Sequence, residues 1–411
     1  MSKNLYGISP PLRVAAIIAY FTLCFWSLYT AALQYTPIPG MFAYTKELAL
    51  LSLCFFSLLL PIRRQIMNQM DSWFLFFIFC LILSIPQSLL TIGFDYNNTI
   101  YAEKYLQPFF ALVVAMSFPI WTTIPLSRWI RWFVVMAHLL ILLNIVGYFA
   151  PQSFFIHVNH IQYEGRISVG QPGVVAFPLL LALDYMLVIP KFNWKVMLSI
   201  FYLLFGILIM IPGTAIFIII INIFLIILMR SHLKRDNALR LLLLLLAIGS
   251  VALAIGFLIA LKGDVVKMAL NLAEIKTKAL LGLINDPSMN MRDIKFSVVQ
   301  KEMGLKILFG TGLNTYTPYV LPLHWGVSLE NMFRILLVNH GIFGLIAYVG
   351  WLFREVYVAW LHRTQGRRRV LQIIVLVDFF IYHYTLDVLY LFMFIIPVMF
   401  FHVYLGKKWA H

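Results

Sequence analysis

Long apolar runs separated by short polar segments make up most of this chain. Many of these runs reach the roughly 20 residues that an α-helix needs to cross a hydrocarbon core. We therefore predict an all-α polytopic membrane protein with about twelve transmembrane helices. Their predicted bounds are 11–33, 43–61, 72–93, 105–121, 129–149, 173–190, 195–211, 213–229, 241–261, 331–353, 369–386 and 388–405.

Composition agrees with this pattern. The 411 residues are 62% hydrophobic and 11% charged, whereas soluble domains average about 25% charged residues. These values exclude a soluble globule, and residues 1–411 are predicted to form a single membrane domain. Cys24, Cys54 and Cys80 lie inside apolar runs without metal-ligand spacing, so we expect free buried thiols and no metal site. The first apolar run has no small-residue cleavage site and is expected to remain as the first helix.

The formal net charge of +15 is explained by where the basic residues fall. On alternate loops, 19 of the 31 lysines and arginines lie on one side of the predicted helices. The opposite short loops hold only Lys104 and Arg166. The positive-inside rule then places both termini in the cytoplasm and the other loops outside, which for a bacterial inner membrane is the periplasm. The excess charge indicates topology and contact with anionic membrane lipids, and no nucleic-acid partner is expected.

Two outer segments are more polar than the rest of the chain. One is 150–172, which contains Arg166, and the other is the large periplasmic loop predicted at 262–330. Apolar residues recur at helical spacing over 265–284, and a second helix is predicted over 291–309, ending at Gly310. These helices either lie on the outer leaflet as amphipathic elements or pack over the helix bundle.

Three arginines near the predicted outer membrane boundary are candidate ligands for an anion. Arg166 precedes the sixth apolar run, Arg292 opens the second helix of the loop, and Arg334 lies one turn inside the tenth run. The planar fork of arginine suits phosphate and diphosphate oxygens. The alternatives are local: Arg334 pairs with Glu330 on the same helix face, and the other two anchor at the interface.

Glu330 and His324 are the candidate catalytic residues. A partly desolvated carboxylate at the start of a membrane helix has a raised pKa, which suits a general base. The alternative is a helix-start acid favoured by the helix dipole. His324 lies nearby in the chain and could reach the same cavity, whereas His340 falls near mid-membrane and is predicted to be a packed core histidine.

Around these residues the chain resembles the O-antigen ligase/polymerase superfamily. That superfamily combines a Gly-x-Gly turn in a large periplasmic loop with a polar residue and Asn that open a helix. The matching segments are Gly165-Arg166 with Gly170-Gln171-Pro172, then 309–316, 330–336 and 340–346. They cover roughly 160–350 in the family's order. Gly173 stands where the family usually has Asn, and Arg292 stands where it has a second arginine before the turn.

The resemblance implies a metal-independent membrane glycosyltransferase with a GT-C-like helical fold and no cofactor. Its donor and acceptor would be glycans on undecaprenyl diphosphate, held by the arginines, and a chain-length regulator is a candidate partner. Asn314, Tyr316 and Asn331 are candidate sugar contacts. Ligases of this family usually have a catalytic histidine where this chain has Glu330, so a polymerase of repeat units for O-antigen or a similar surface polysaccharide is favoured.

Two alternatives stay open. One is an O-antigen ligase that transfers the glycan to lipid A-core, with His324 as the base. The other is a flippase for lipid-linked oligosaccharides, for which twelve spans is a common number. A flippase needs polar residues along a central path, and the ionisable residues predicted at mid-span are few. They are Asp184, Asp378, His138, His340 and His383.

Overall fold

The structure is a computed structural model that describes most of the chain. The described residues are 9–33, 44–59, 70–92, 96–122, 124–149, 152–153, 156–157, 172–190, 193–210, 213–229, 249, 256, 271, 274–275, 278, 287–313, 315, 319, 329, 331–385 and 392–406. The predicted segment 241–261 lies largely outside them. Five of the candidate site residues also lie outside the described residues: Arg166, Asn314, Tyr316, His324 and Glu330.

Helices dominate the described residues. They are α1 (Pro10–Leu33), α2 (Thr45–Leu59), α3 (Ser72–Ile92), α4 (Tyr96–Trp121), α5 (Leu126–Phe149), α6 (Pro172–Val188), α7 (Trp194–Leu208), α8 (Gly213–Leu228), α9 (Pro287–Met303), α10 (Lys306–Phe309), α11 (Met332–Leu361), α12 (Arg367–Thr385) and α13 (Phe392–Leu405). A 3-10 turn, Arg363–Gln365, joins α11 to α12. Every predicted span except 241–261 coincides with one of these helices, so the helical fold class is confirmed.

The lengths of the helices support membrane insertion. Within the described residues, α1, α3, α5 and α11 are long and apolar enough to cross a membrane. The helices α6, α7, α8 and α13 are apolar but shorter. Large apolar side chains such as Phe55, Ile220 and Phe353 are exposed on the bundle. A surface of this kind is expected where a helix bundle faces lipid. The protein is therefore an α-helical membrane protein.

Hydrogen bonds between helices hold one part of the bundle together. The Trp121 indole donates to the Ser57 hydroxyl at 2.8 Å, linking α4 to α2. Ser57 in turn donates to Ser117 at 2.8 Å, and the Tyr20 hydroxyl of α1 donates to the carbonyl of Val114 at 3.0 Å. All of these side chains are buried. In lipid, such bonds and close packing replace the hydrophobic effect as the source of helix association.

The two polar segments, 150–172 and 262–330, have irregular features that their sequence patterns do not predict. In the first, β1 (Gln152–Ser153) pairs antiparallel with β2 (Ile156–His157). In the second, the helix predicted over 291–309 is broken. It ends at Met303, the chain turns through Gly304 at φ 55°, and α10 follows. A glycine in the left-handed region commonly ends a helix, which is the physical reason for the break.

Helix α11 is kinked at Gly341, where φ is 69° and ψ is −171°. Side chains of α11 pack along α3, with the Phe77 and Tyr348 ring centroids 4.8 Å apart and those of Phe74 and Trp351 5.0 Å apart. This contact fixes the second half of α11.

Replacing Gly341 by Ala should destabilise the protein strongly. A Cβ at this position would lie 2.5 Å from the Phe309 carbonyl carbon and 2.7 Å from the Gly310 nitrogen, and the positive φ adds backbone strain. Gly304→Ala is the matched control, because Gly304 also has a positive φ but no atom within 4 Å of the added Cβ. The control should cost about 1–2 kcal/mol from backbone strain alone, and Gly341→Ala should cost more. Equal unfolding midpoints in detergent would contradict the close approach.

Candidate functional site

A turn formed by Gly310, Thr311 and Gly312 docks into the kink of α11. The Thr311 backbone N–H donates to the carbonyl of Val338 at 2.8 Å, and that of Gly312 donates to the carbonyl of Asn339 at 3.2 Å. The Thr311 hydroxyl donates to the same Val338 carbonyl at 2.9 Å. The kink thus directs two carbonyls to the turn, and the turn satisfies them, as buried backbone groups require.

The glycines of the turn are required by the closeness of neighbouring backbones. A Cβ on Gly310, at φ 83°, would lie 2.8 Å from the Gly341 nitrogen. One on Gly312, at φ 94°, would lie 2.4 Å from the Ser88 nitrogen. Since the amides of Thr311 and Gly312 are already bonded to α11, the turn is a structural joint and does not offer these two donors to a phosphate.

Helix α3 holds the other side of the turn through a row of polar side chains. Gln87 donates to the carbonyl of Gly310 at 3.1 Å, Ser88 to that of Leu313 at 2.9 Å, and Thr91 to that of Thr311 at 3.2 Å. The sequence analysis did not single out these residues. Their spacing along one face of an otherwise apolar helix was the available signal.

Helix α9 lies next to this joint and buries one of its faces. Its buried positions include Lys295, Val299 and Met303, at helical spacing. The Thr311 hydroxyl approaches the Met303 sulfur at 3.8 Å, so the end of α9 touches the turn. The joint between turn and kink therefore determines where the predicted arginine of α9, Arg292, is placed relative to α11.

Arg334, in the first turn of α11, binds α9. Its Nη1 donates to the backbone carbonyl of Arg292 at 2.9 Å, and its Nη2 is ion-paired with the Asp293 carboxylate. The guanidinium carbon also lies 4.8 Å from the centroid of the Phe296 ring. The structure therefore brings two of the three predicted arginines together. Within the described residues the partner of Arg334 is Asp293; the alternative partner, Glu330, lies outside them.

Lys295 is a further cation of this site that the sequence analysis missed. It lies one turn after Arg292 on α9, and only 1% of its surface is exposed. Residues three apart on a helix share a face, so Arg292 and Lys295 place positive charge on the same side of α9. That spacing is visible in the sequence, but the burial of a lysine is not, because lysine is seldom fully buried.

Asn331 caps α11. Its side-chain oxygen accepts the Arg334 backbone N–H at 3.2 Å, and 4% of its surface is exposed. A cap of this kind satisfies one of the free N–H groups at a helix start. Its predicted role as a sugar contact stays a prediction. So do the roles assigned to Arg166, Asn314, Tyr316, His324 and Glu330.

His340 lies in the core, as predicted. It is 5% exposed, its Nδ1 lies 2.6 Å from the Ser84 hydroxyl of α3, and its ring packs edge-on against Tyr105, with centroids 5.6 Å apart. Its neighbour Asn339 donates to the Tyr105 hydroxyl at 2.6 Å. These contacts lie directly beside Gly341. We therefore assign His340 to the packing around the kink.

Part of the helix predicted over 265–284 is described. Residues 271, 274, 275 and 278 are helical and exposed, at positions that share one helix face. Lys278 and Glu274 form an i,i+4 ion pair at 2.6 Å. The hydrogen bond from Lys278 lowers the pKa of the Glu274 carboxyl. An exposed pair of this kind contributes little to stability.

The described residues contain a cavity apart from this joint and no metal site. Among the described residues no cluster of three or more His, Cys, Asp or Glu side chains could hold a metal ion. A cavity of about 790 Å³ lies between α5, α6 and α7 and is lined by Arg131, His138, Tyr185 and Ser199, among others. None of its lining residues belongs to α9, α10 or α11. The cavity is therefore distinct from the site at Arg292.

Comparison with known proteins returns no match to this chain, either among family models or among curated proteins.

The contact between Arg334 and α9 can be measured with a double-mutant cycle. Asp293→Asn should lower the free energy of unfolding by less than 1 kcal/mol, because Asp293 is 59% exposed and exposed pairs contribute roughly 0.2–1 kcal/mol. Arg334→Gln should cost more, since it also removes the bond to the Arg292 carbonyl and the contact with Phe296. A coupling energy of zero between the two substitutions, from unfolding midpoints in detergent, would contradict the ion pair.

Proposed function

We propose that the protein is a membrane glycosyltransferase that polymerises oligosaccharide repeat units carried on undecaprenyl diphosphate. The observation that supports this most is the placement of Arg292 and Arg334 at one joint between α9 and α11, with Lys295 one turn away. Several cations at the edge of a helix bundle suit a lipid-linked diphosphate, whose charge must remain at the membrane surface while its chain stays in lipid.

The arginines have different roles in this proposal. Arg292 binds the donor's diphosphate together with Arg166 and stabilises negative charge on the leaving group. Arg334 is bound to Asp293 and to the Arg292 carbonyl, so its main contribution is to hold α9 in place. Its guanidinium has five N–H donors in all. The contact with α9 therefore leaves room for the predicted contact with diphosphate.

Glu330 is the proposed general base that removes the proton from the acceptor hydroxyl, and His324 is the second choice. In the chain, Glu330 stands between Leu329, which is fully buried, and the capping residue Asn331. Partial desolvation raises the pKa of a carboxyl group, which would suit Glu330 to act as a base at the start of a membrane helix. Asn314, Tyr316 and Asn331 remain the proposed sugar contacts. No metal or cofactor is part of the proposal.

The proposed location is the inner membrane of a bacterium, with both termini in the cytoplasm and the site at the periplasmic face. The distribution of basic residues supports this orientation. The partners follow from the reaction: one glycan-linked lipid as donor, one as acceptor, and a chain-length regulator as a candidate protein partner.

Replacing Arg292 by Gln should abolish the long-chain polysaccharide while leaving the protein inserted and folded. Removing one donor that stabilises charge at the leaving group lowers rates by roughly 100-fold or more. Lys301→Gln is the matched control, because Lys301 lies on α9 but is exposed. The readout is surface polysaccharide on a gel at equal protein level. Long-chain product from the Arg292 variant would remove this residue from the mechanism.

Deleting the gene separates the proposed polymerase from the two alternatives. A polymerase deletion should leave a single repeat unit on lipid A-core, because ligation and transport are intact. Free polymer that is missing from lipid A-core would instead indicate the ligase. Complete absence of the surface sugar would indicate the flippase. The latter two outcomes contradict the polymerase, and restoring the gene on a plasmid is the control.

A further inference from the structure

Three polar side chains meet in the interior of the bundle, apart from the proposed site. They are Asp184 of α6, Asn222 of α8 and Asp378 of α12, with 0%, 1% and 0% of their surfaces exposed. In the sequence, Asp184 and Asp378 are two of the few ionisable residues predicted at mid-span, with no sign that they meet. The three helices pack on one another pairwise, so the acids are brought together by the fold.

The contacts within this cluster define its protonation. The Asn222 amide donates to Asp184 Oδ1 at 3.0 Å, and the Asp378 carboxyl group lies beside that of Asp184 in the same cluster. Ionised carboxylates can only accept hydrogen bonds. Two of them can therefore be hydrogen-bonded to each other only when a proton lies on one. Two negative charges on neighbouring buried carboxyl groups would also repel strongly in a medium of low dielectric constant.

A separate observation shows that the cluster lacks positive charge. The Asn222 side-chain oxygen, Asp184 Oδ2 and both oxygens of Asp378 have no donor among the described residues. No described lysine, arginine or histidine forms an ion pair with either acid. The other titratable group facing the pair is Tyr382, one turn after Asp378 on α12. The buried amide oxygen beside the acids thus points to an electropositive ligand.

We propose that Asp184 and Asp378 bind one proton between them, in a site closed by α6, α8 and α12. A proton fits better than a metal ion, because no third His, Cys, Asp or Glu side chain of the described residues joins the two acids. The site is fully buried, so the proton can exchange only when the three helices separate. Ionisable residues in this setting are a common feature of membrane proteins whose helices move as protons bind. The proposal does not depend on glycosyl transfer.

Infrared difference spectroscopy of the purified full-length protein in lipid tests this directly. At neutral pH the wild type should show the C=O stretching band of a protonated carboxylic acid, shifted in D₂O. Asp378→Asn and Asp184→Asn should each leave a band at a shifted frequency, because the remaining buried acid has no cation of the described residues beside it and keeps the proton. The double variant should abolish the band. Two variants are used so that one misfolded protein does not decide the result. Glu355→Gln, an acid of α11 paired with His402, should leave the band unchanged.

Each other outcome overturns the proposal. No band in the wild type means that both acids are ionised. A wild-type band twice as intense as the band of each single variant means that each acid holds its own proton, and a band that survives in the double variant belongs to another acid. A band that disappears when Na⁺ replaces choline at constant ionic strength assigns the site to a metal ion instead.

Discussion

The backbone bonds between the turn at 310–312 and the kink at Gly341 determine how α3, α9 and α11 meet. Thr311 and Gly312 bind two carbonyls that α11 exposes at its kink, and α3 binds the carbonyls of the turn from the other side. The glycines allow backbones to approach where a side chain would not fit. Because buried backbone groups must be paired, neither the kink nor the turn can change alone.

This joint explains why charge gathers at the start of α11. The last residue of α9, Met303, contacts Thr311 of the turn, and Arg334 holds the start of α9 through Asp293 and the Arg292 carbonyl. The residues of the motifs around 309–346 and the cations of α9 therefore have two different roles. The glycines, Thr311 and Asn331 build the scaffold. Arg292 is the cation on which the proposed reaction depends, and Lys295 is buried one turn away on the same helix.

The helical fold was predictable because apolar runs of membrane length leave few alternatives. The break at Gly304 and the kink at Gly341 were not, because each depends on a single positive φ that a helical period does not reveal. The partner of Arg334 was missed for a related reason. Spacing along one helix suggests Glu330, which lies outside the described residues, whereas Asp293 lies on another helix 41 residues away in the chain. Likewise, Asp184 and Asp378 are far apart in sequence, and only the packing of α6, α8 and α12 joins them.

The central claim is that the cations of α9 recognise a diphosphate on a lipid. Binding of undecaprenyl diphosphate and undecaprenyl monophosphate to the purified protein in nanodiscs, compared by native mass spectrometry, tests it most directly. The account predicts that the wild type prefers the diphosphate and that Arg292→Gln binds both lipids equally, whereas Lys301→Gln keeps the preference. Equal binding of the two lipids by the wild type, or an unchanged preference in Arg292→Gln, would contradict it.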